Sequence, residues 1–121
     1  MKNMQERRKY IRLQVPVEML YFAEGNPTRR EVATKDLSCD GLRFLSDEDF
    51  EKGSGIEINL IIPKASNPVH VQGKVAWAKR LSLEDSSPYE VGVEFTAIEE
   101  DNKNTFLKYL CDLIYDQTRS G

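Results

Sequence analysis

Short stretches of alternating apolar and polar residues constrain the fold of this chain more than any other feature. The alternation is clearest at residues 15–21, 56–62, 69–77 and 91–95. A period of two is typical of β-strands with one buried face, and turn residues separate the stretches. Two further short strands are predicted at 30–35 and 42–46, on either side of the Asp40-Gly41 turn signal. Gly73, in the middle of the longest stretch, indicates a bend or a bulge.

The period changes near the C-terminus. Apolar residues there recur at spacings of three and four, at Phe106, Leu107, Leu110, Cys111, Leu113 and Ile114. This spacing predicts an amphipathic helix over about 100–118, and the acidic residues 99–101 suit its N-terminal dipole. Six short strands followed by one helix predict a mainly β fold, a small six-stranded antiparallel barrel with a C-terminal α-helix packed on it.

Charge divides the chain into a basic arm and an acidic body. Residues 1–13 carry five basic side chains and one acidic one, so of the net charge of −3 the other 108 residues carry −7. This distribution indicates a local anion site and disfavours a general nucleic-acid binder. We expect a flexible N-terminal arm at 1–13, a barrel at 14–97 and a helical region at 98–121, all in one domain.

Composition excludes several other classes of protein. No apolar run approaches the roughly 20 residues that a membrane span needs, and the polar residues 1–6 do not form a secretory signal. A cytoplasmic location without membrane insertion is therefore expected. His70 is the single histidine and no CxxC pair occurs, so no metal site is predicted, and Cys39 and Cys111 are expected to be free thiols. No catalytic triad, paired Cys–His nucleophile or phosphate loop is present, so no enzyme activity is expected.

A basic cluster at residues 7–12 is the first candidate for ligand binding, with Arg7, Arg8 and Arg12 as its arginines. Arg8 and Arg12 are four residues apart and would share one face of a turn or short helix. A guanidinium can grip phosphate oxygens with two parallel hydrogen bonds, or reach the O6 and N7 atoms of guanine. On its own the cluster is better explained as a solvated basic tail.

A second cluster, Asp36-Leu37-Ser38-Cys39-Asp40-Gly41, lies between two predicted strands. The Asp36 carboxylate can accept from the N1–H and N2–H groups of guanine, and Ser38 can donate to a phosphate or a base. Gly41 permits a close approach of backbone and ligand. Taken alone, these residues are better explained as an ordinary β-turn. A barrel could bring the two clusters side by side.

The two clusters together resemble the ligand motifs of the PilZ domain family. Residues 8–12 match RxxxR and residues 36–41 match [D/N]xSxxG, while residues 73–77 and 91–95 resemble the later strands of the family. The resemblance implies a PilZ-type barrel that binds cyclic di-GMP. It assigns Arg8 and Arg12 to phosphates and guanine, and Asp36, Ser38 and Gly41 to guanine and the local backbone. Arg7 would join the site, which is compatible with one ligand or two stacked ligands.

The function that follows is a stand-alone bacterial cyclic di-GMP receptor. It would change conformation on binding and signal to an unidentified protein partner that controls motility, biofilm or polysaccharide export. Two alternatives are a ligand-free PilZ-like adaptor between proteins and a small barrel that binds single-stranded nucleic acid; the acidic body argues against DNA or RNA. Trp77 shares the alternating face of Val71 and Val75, which predicts a core residue. Its place near a strand end leaves a base-stacking role open.

Overall fold

A computed structural model describes residues 11–84 and 88–120 of the chain. Those residues form six strands and one helix: β1 (Glu18–Ala23), β2 (Arg30–Leu37), β3 (Gly41–Ser46), β4 (Gly55–Leu60), β5 (Val69–Arg80), β6 (Tyr89–Ile98) and α1 (Glu100–Ser120). Every predicted strand is present. Most extend past the apolar residues that predicted them, because alternation marks only the half-buried part of a strand.

The strands close into a barrel in the order β1-β2-β3-β6-β5-β4, and each neighbouring pair is antiparallel. Pairing of β1 with β4 completes the circle, and β3 pairs with the distant β6. Closure leaves no open sheet edge around the barrel wall. The prediction of a six-stranded antiparallel barrel with a C-terminal helix is confirmed.

The inward-facing side chains fill the barrel. In β3, Leu42 and Phe44 are buried, and the rings of Tyr21, Phe44 and Phe50 pack with centroids 5.0 to 6.0 Å apart. Phe50 belongs to the acidic segment between β3 and β4, outside every strand that the sequence predicted. Packing against the two other rings buries it and makes this segment part of the core.

Helix α1 packs on the barrel through a narrow stripe. Phe106 and Leu110 belong to the buried core, and the Phe106 ring meets that of Phe95 edge-on at 5.9 Å. Leu107 and Cys111, which the spacing placed on the same apolar face, are exposed. A helix lying on a convex barrel wall contacts it along fewer positions than a helix in a flat layer. Among the described residues, no helix is long and apolar enough to cross a membrane.

Shifts in register bend the long strand β5. Pairing with β6 shifts between Gln72 and Gly73, as the glycine in the middle of the sequence stretch predicted. It shifts again between Val75 and Trp77, so Trp77 pairs with Gly92. Val75 points into the core, but after the second shift Trp77 lies outside the barrel and is 37% exposed. The prediction of a core role for Trp77 is therefore wrong, because an irregularity in pairing reverses the alternation on which it relied.

Candidate functional site

A row of paired residues crosses four neighbouring strands on the outside of the barrel. Asp36 of β2 pairs with Arg43 of β3, Arg43 with Gly92 of β6, and Gly92 with Trp77 of β5. The register shift between Thr34 and Asp36 turns the Asp36 side chain to the same side as Arg43. We call the outer surface of β2, β3, β6 and β5 around this row the site face.

Two arginines hold Asp36 at one end of the row. Arg12 Nη1 donates to Asp36 Oδ1 at 3.1 Å, and Arg43 Nε donates to Asp36 Oδ2 at 2.6 Å. Arg12 is fixed there because the next residue, Leu13, is buried and exchanges two backbone hydrogen bonds with Leu37. The Asp36 side chain is only 2% exposed, so its charge depends on these two partners. The structure thus brings together Arg12 and Asp36, two predicted site residues that are 24 positions apart.

Ser38 and Asp40 build the turn that leads from β2 to β3. Ser38 N donates to Gly41 O at 2.9 Å, and Ser38 Oγ donates to Asp40 Oδ1 at 2.5 Å. The Asp40 amide donates back to Ser38 Oγ at 3.3 Å. Ser38 is buried. In this conformation its hydroxyl therefore holds the turn beside Asp36.

Glycine is required at position 41 because the neighbouring strand β6 lies very close to it. A Cβ atom at this position would lie 2.3 Å from the Val93 carbonyl oxygen, far inside van der Waals contact. The backbone of β3 can approach β6 this closely only without a side chain. The need for glycine is therefore steric, and it fixes the turn of Ser38 against the barrel wall.

Trp77 lies at the other end of the row of paired residues. A Cβ atom on Gly92 would lie 2.4 Å from the indole ring, so the ring lies over the space that this glycine leaves. Lys79 Nζ is 5.6 Å from the ring centroid, a cation–π distance. An indole that is held against the barrel and still 37% exposed offers an aromatic surface to a ligand.

The sequence reasoning missed a second group of charged residues on the site face. Glu90 is 5% exposed and is surrounded by the cationic groups of Arg43, Lys35 and Lys79. Arg43 links this group to Asp36, because its Nη1 atom donates to Glu90 Oε2 at 3.0 Å. The available signal was alternation: Arg43 stands between the core residues Leu42 and Phe44 and must face outward beside the predicted turn.

Two predicted residues, Arg7 and Arg8, lie outside the described residues. Two grooves, of about 750 and 850 Å³, occur elsewhere, one along the hairpin end of β1 and one between α1 and residues 62–67. Neither groove is lined by Arg12, Asp36 or Trp77. The charge and aromatic chemistry favour the site face.

Cys39 lies in the turn between Ser38 and Gly41, where its surroundings disfavour the thiolate form. Burial raises the pKa of the Cys39 thiol, and the neighbouring Asp40 carboxylate raises it further. A thiol with a raised pKa contains less thiolate, the reactive form. Cys39 is therefore a small, partly buried residue of the turn. No group of three metal-ligating side chains that could hold an ion occurs within residues 11–84 and 88–120.

The site face combines three chemical capacities. Guanidinium and ammonium groups can bind phosphate, the Asp36 carboxylate can accept from a base edge, and the Trp77 ring can stack on a base. All three are held on paired strands of a closed barrel. A ligand that has both phosphates and purine bases would use all three.

Comparisons with known proteins identify the family and the fold of this chain. The family model described as PilZ domain matches residues 6–111. The solved structure of the Bacillus subtilis inhibitor of motility MotI/DgrA matches 98% of this chain with a TM-score of 0.71 and 15% identity. The complex of K. pneumonia MrkH with c-di-GMP matches 95% with a TM-score of 0.68 and 17% identity. The PilZ domain of Escherichia coli YcgR with c-di-GMP matches 94% with a TM-score of 0.68 and 12% identity.

The similar structures differ in how much of their own length this chain covers. The chain spans 57% of the MotI/DgrA chain and 56% of the MrkH chain, but 96% of the YcgR domain. At these identities the structural likeness establishes the barrel fold. No curated protein sequence matches the chain significantly.

Proposed function

The chain belongs to the PilZ domain family, and we propose that it is a cyclic di-GMP receptor with no catalysis of its own. The contact of Arg12 with Asp36 is the observation that carries the proposal. It joins the end of the RxxxR motif to the start of the DxSxxG motif on one open surface. Structures similar to this chain include two in complex with c-di-GMP.

The arginines supply the phosphate-binding chemistry. Cyclic di-GMP carries two phosphates, and each bond from a guanidinium to a phosphate oxygen is charge-assisted. Arg7 and Arg8 precede Arg12 by a few residues, so three arginines can reach the same part of the ligand. Arg12 is only partly buried, which leaves donors of its planar fork accessible while one Nη atom contacts Asp36.

Asp36 is the guanine acceptor in this proposal, but both of its oxygens already accept from arginines. Binding would therefore exchange partners. Arg12 moves from Asp36 to a phosphate, and Asp36 Oδ1 then accepts from the N1–H or N2–H group of guanine. The exchange keeps the buried carboxylate paired throughout, because Arg43 still donates to Oδ2. Trp77, at the other end of the row, is a candidate for stacking on a base.

Signalling to a partner would use the segment before Leu13. Leu13 is anchored by its two bonds to Leu37, so the proposed exchange of partners at Arg12 takes place beside a fixed point of the barrel. In this proposal the receptor lies in the bacterial cytoplasm, and an unidentified protein partner that controls motility, biofilm or polysaccharide export would recognise the altered site face.

Calorimetric titration of cyclic di-GMP into the parent protein, Arg12→Ala and Arg8→Ala tests this function. Arg29→Ala is the matched control, because Arg29 is exposed and packs near Phe22, away from the site face. Loss of one charge-assisted bond should weaken binding about tenfold to hundredfold in the two site variants. The control should bind like the parent, and GTP should not bind. Thermal melts establish that every variant is folded.

Two other outcomes would each point to a different function. A folded parent that does not bind cyclic di-GMP would contradict the receptor and leave the adaptor between proteins as the explanation. Binding of single-stranded oligonucleotides with a steep dependence on salt would instead indicate the nucleic-acid-binding barrel.

A further inference from the structure

We infer that Lys35, Arg43 and Lys79 form a second phosphate-binding subsite around Glu90, on the site face beside Trp77. The inference rests on the proposed function, because it assigns the second phosphate of the same ligand. It adds three residues that lie outside the two sequence motifs.

The geometry brings all three cations to one carboxylate. Lys35 Nζ lies 3.3 Å and Arg43 Nη1 lies 3.0 Å from Glu90 Oε2, while Lys79 Nζ lies 3.7 Å from Glu90 Oε1. The three residues come from β2, β3 and β5, and Glu90 from β6. Glu90 therefore gathers cationic groups from three strands that would otherwise repel one another.

The network contains more positive than negative charge. Two carboxylates, Asp36 and Glu90, are shared among four cations, Arg12, Lys35, Arg43 and Lys79. A surplus of two positive charges remains on one surface, although residues 14–121 carry −7 overall. One cation would be enough to neutralise Glu90. The two additional cations provide attraction for an anion that Glu90 does not satisfy.

The cations can reach an anion without leaving Glu90. The side chains of Arg43, Lys35 and Lys79 are 30%, 43% and 64% exposed, whereas Glu90 is covered beneath them. An ammonium group has three donors, so a lysine that contacts Glu90 retains donors for a phosphate oxygen. Because Glu90 already restrains these long side chains, less conformational entropy is lost when they bind.

The position of the three cations on the site face, beside Trp77 and away from Arg12, indicates the class of ligand. Lys79 Nζ lies 5.6 Å from the Trp77 ring centroid, so a base that stacks on Trp77 would bring its phosphate near this lysine. Arg12 lies at the opposite end of the row, next to Asp36. A purine dinucleotide with two phosphates could thus place one at Arg12 and the other at Lys35, Arg43 and Lys79.

Calorimetric titration of cyclic di-GMP at low and high salt, into Lys35→Ala and Lys79→Ala, tests the subsite. Lys74→Ala is the control, because Lys74 is a similarly exposed lysine of β5 that pairs with Glu94 at 3.8 Å, away from Glu90. Each site variant should bind about threefold to tenfold more weakly and lose affinity less steeply as salt rises. Trp77 is the only tryptophan, so its fluorescence reports occupancy next to the subsite.

The outcomes separate this subsite from the receptor itself. If the parent binds and both variants match Lys74→Ala in affinity and salt dependence, the subsite is wrong and the receptor remains. If the folded parent does not bind cyclic di-GMP, the proposed function fails, and the subsite fails with it. Weaker binding with an unchanged salt dependence would show that the lysines act through structure, which also overturns the subsite.

Discussion

The two surfaces of strands β3 and β6 are made of the same backbone but serve opposite purposes. Inward, Phe44 and Val91 are fully buried in an apolar core. Outward, Arg43 and Glu90 form an ion pair at 3.0 Å, within a network of six charged side chains. Alternation alone assigns each residue to a surface.

The difference shows that burial has two physical origins in this barrel. Phe44 is buried because water is excluded from the apolar interior. Glu90 and Asp36 are nearly as inaccessible, but they lie outside the barrel, covered by the cations that neutralise them. The first kind of burial should support stability, and the second should mainly support binding. Three paired substitutions test this division.

Phe44→Ala should cause the largest loss of stability. The Phe44 side chain is fully buried and its ring packs against Tyr21 and Phe50, so truncation leaves a cavity among aromatic rings. We expect the free energy of unfolding to fall by about 3–5 kcal/mol, measured by urea denaturation. If the alanine variant does not fold, the smaller change Phe44→Leu is measured in its place.

Leu45→Ala is the control for this loss, since Leu45 is the next residue and points outward with 37% exposure. Its effect should stay below about 1 kcal/mol. Equal losses at the two positions would contradict the assignment of inner and outer surfaces.

The inner surface could largely be predicted from the sequence. Alternating apolar residues marked the six strands, and the spacing of Phe106 and Leu110 marked the helix. Prediction failed where local pattern and tertiary contact differ. Phe50 is buried although its neighbours are acidic, and Trp77 is outside although it continues the alternation of β5. A register shift depends on the partner strand, which the local sequence does not specify.

The outer surface was predicted only where motifs marked it. Arg12 and Asp36 were identified as partners in one site, and the structure places them in contact. Arg43, Lys35 and Glu90 were missed: alternation places Arg43 on the outer surface, but charged residues at outward positions are usually solvated, so this alone does not indicate an ion network. Their association arises from the pairing of β3 with β6, two strands far apart in sequence.

Gly41→Ala should have an intermediate effect on stability. The added Cβ atom meets the backbone oxygen of Val93 at 2.3 Å, so β3 and β6 must separate locally. We expect a loss of about 1–3 kcal/mol in urea denaturation, because a backbone atom cannot rotate away as a side chain can. The same shift would displace the turn of Ser38, so affinity for cyclic di-GMP should also fall.

Gly55→Ala provides the comparison for Gly41. The nearest atom to a Cβ there is Glu24 Oε1 at 3.5 Å, which is ordinary contact, and the φ angle of Gly55 is not in the left-handed region. We expect Gly55→Ala to change the free energy of unfolding by no more than about 0.5 kcal/mol. A loss at Gly55 as large as that at Gly41 would contradict this explanation, because a Cβ atom at Gly55 meets no backbone atom at close range.

Glu90→Ala should have the smallest effect of the three substitutions, despite the burial of Glu90. It removes a carboxylate that contacts three cations, but those cations are partly exposed and can be solvated, and Arg43 keeps its bond to Asp36. Removing the carboxylate also removes the cost of its desolvation. We therefore expect a loss of about 1–2 kcal/mol in urea denaturation, with little dependence on salt.

Glu94→Ala, on the same strand and the same outer surface, sharpens this comparison. Glu94 is exposed and pairs with Lys74 at 3.8 Å, so its removal should change stability by no more than about 0.5 kcal/mol. A loss of 3 kcal/mol or more from Glu90→Ala would show that the ion network contributes to stability as much as a buried core residue does, contrary to the division proposed above. Equal effects of Glu90→Ala and Glu94→Ala would instead show that the network contributes no more to stability than ordinary surface charges do. An intermediate loss fits a network that keeps Arg43, Lys35 and Lys79 in place for an anion, because positioning cations requires Glu90 while folding depends on it only modestly.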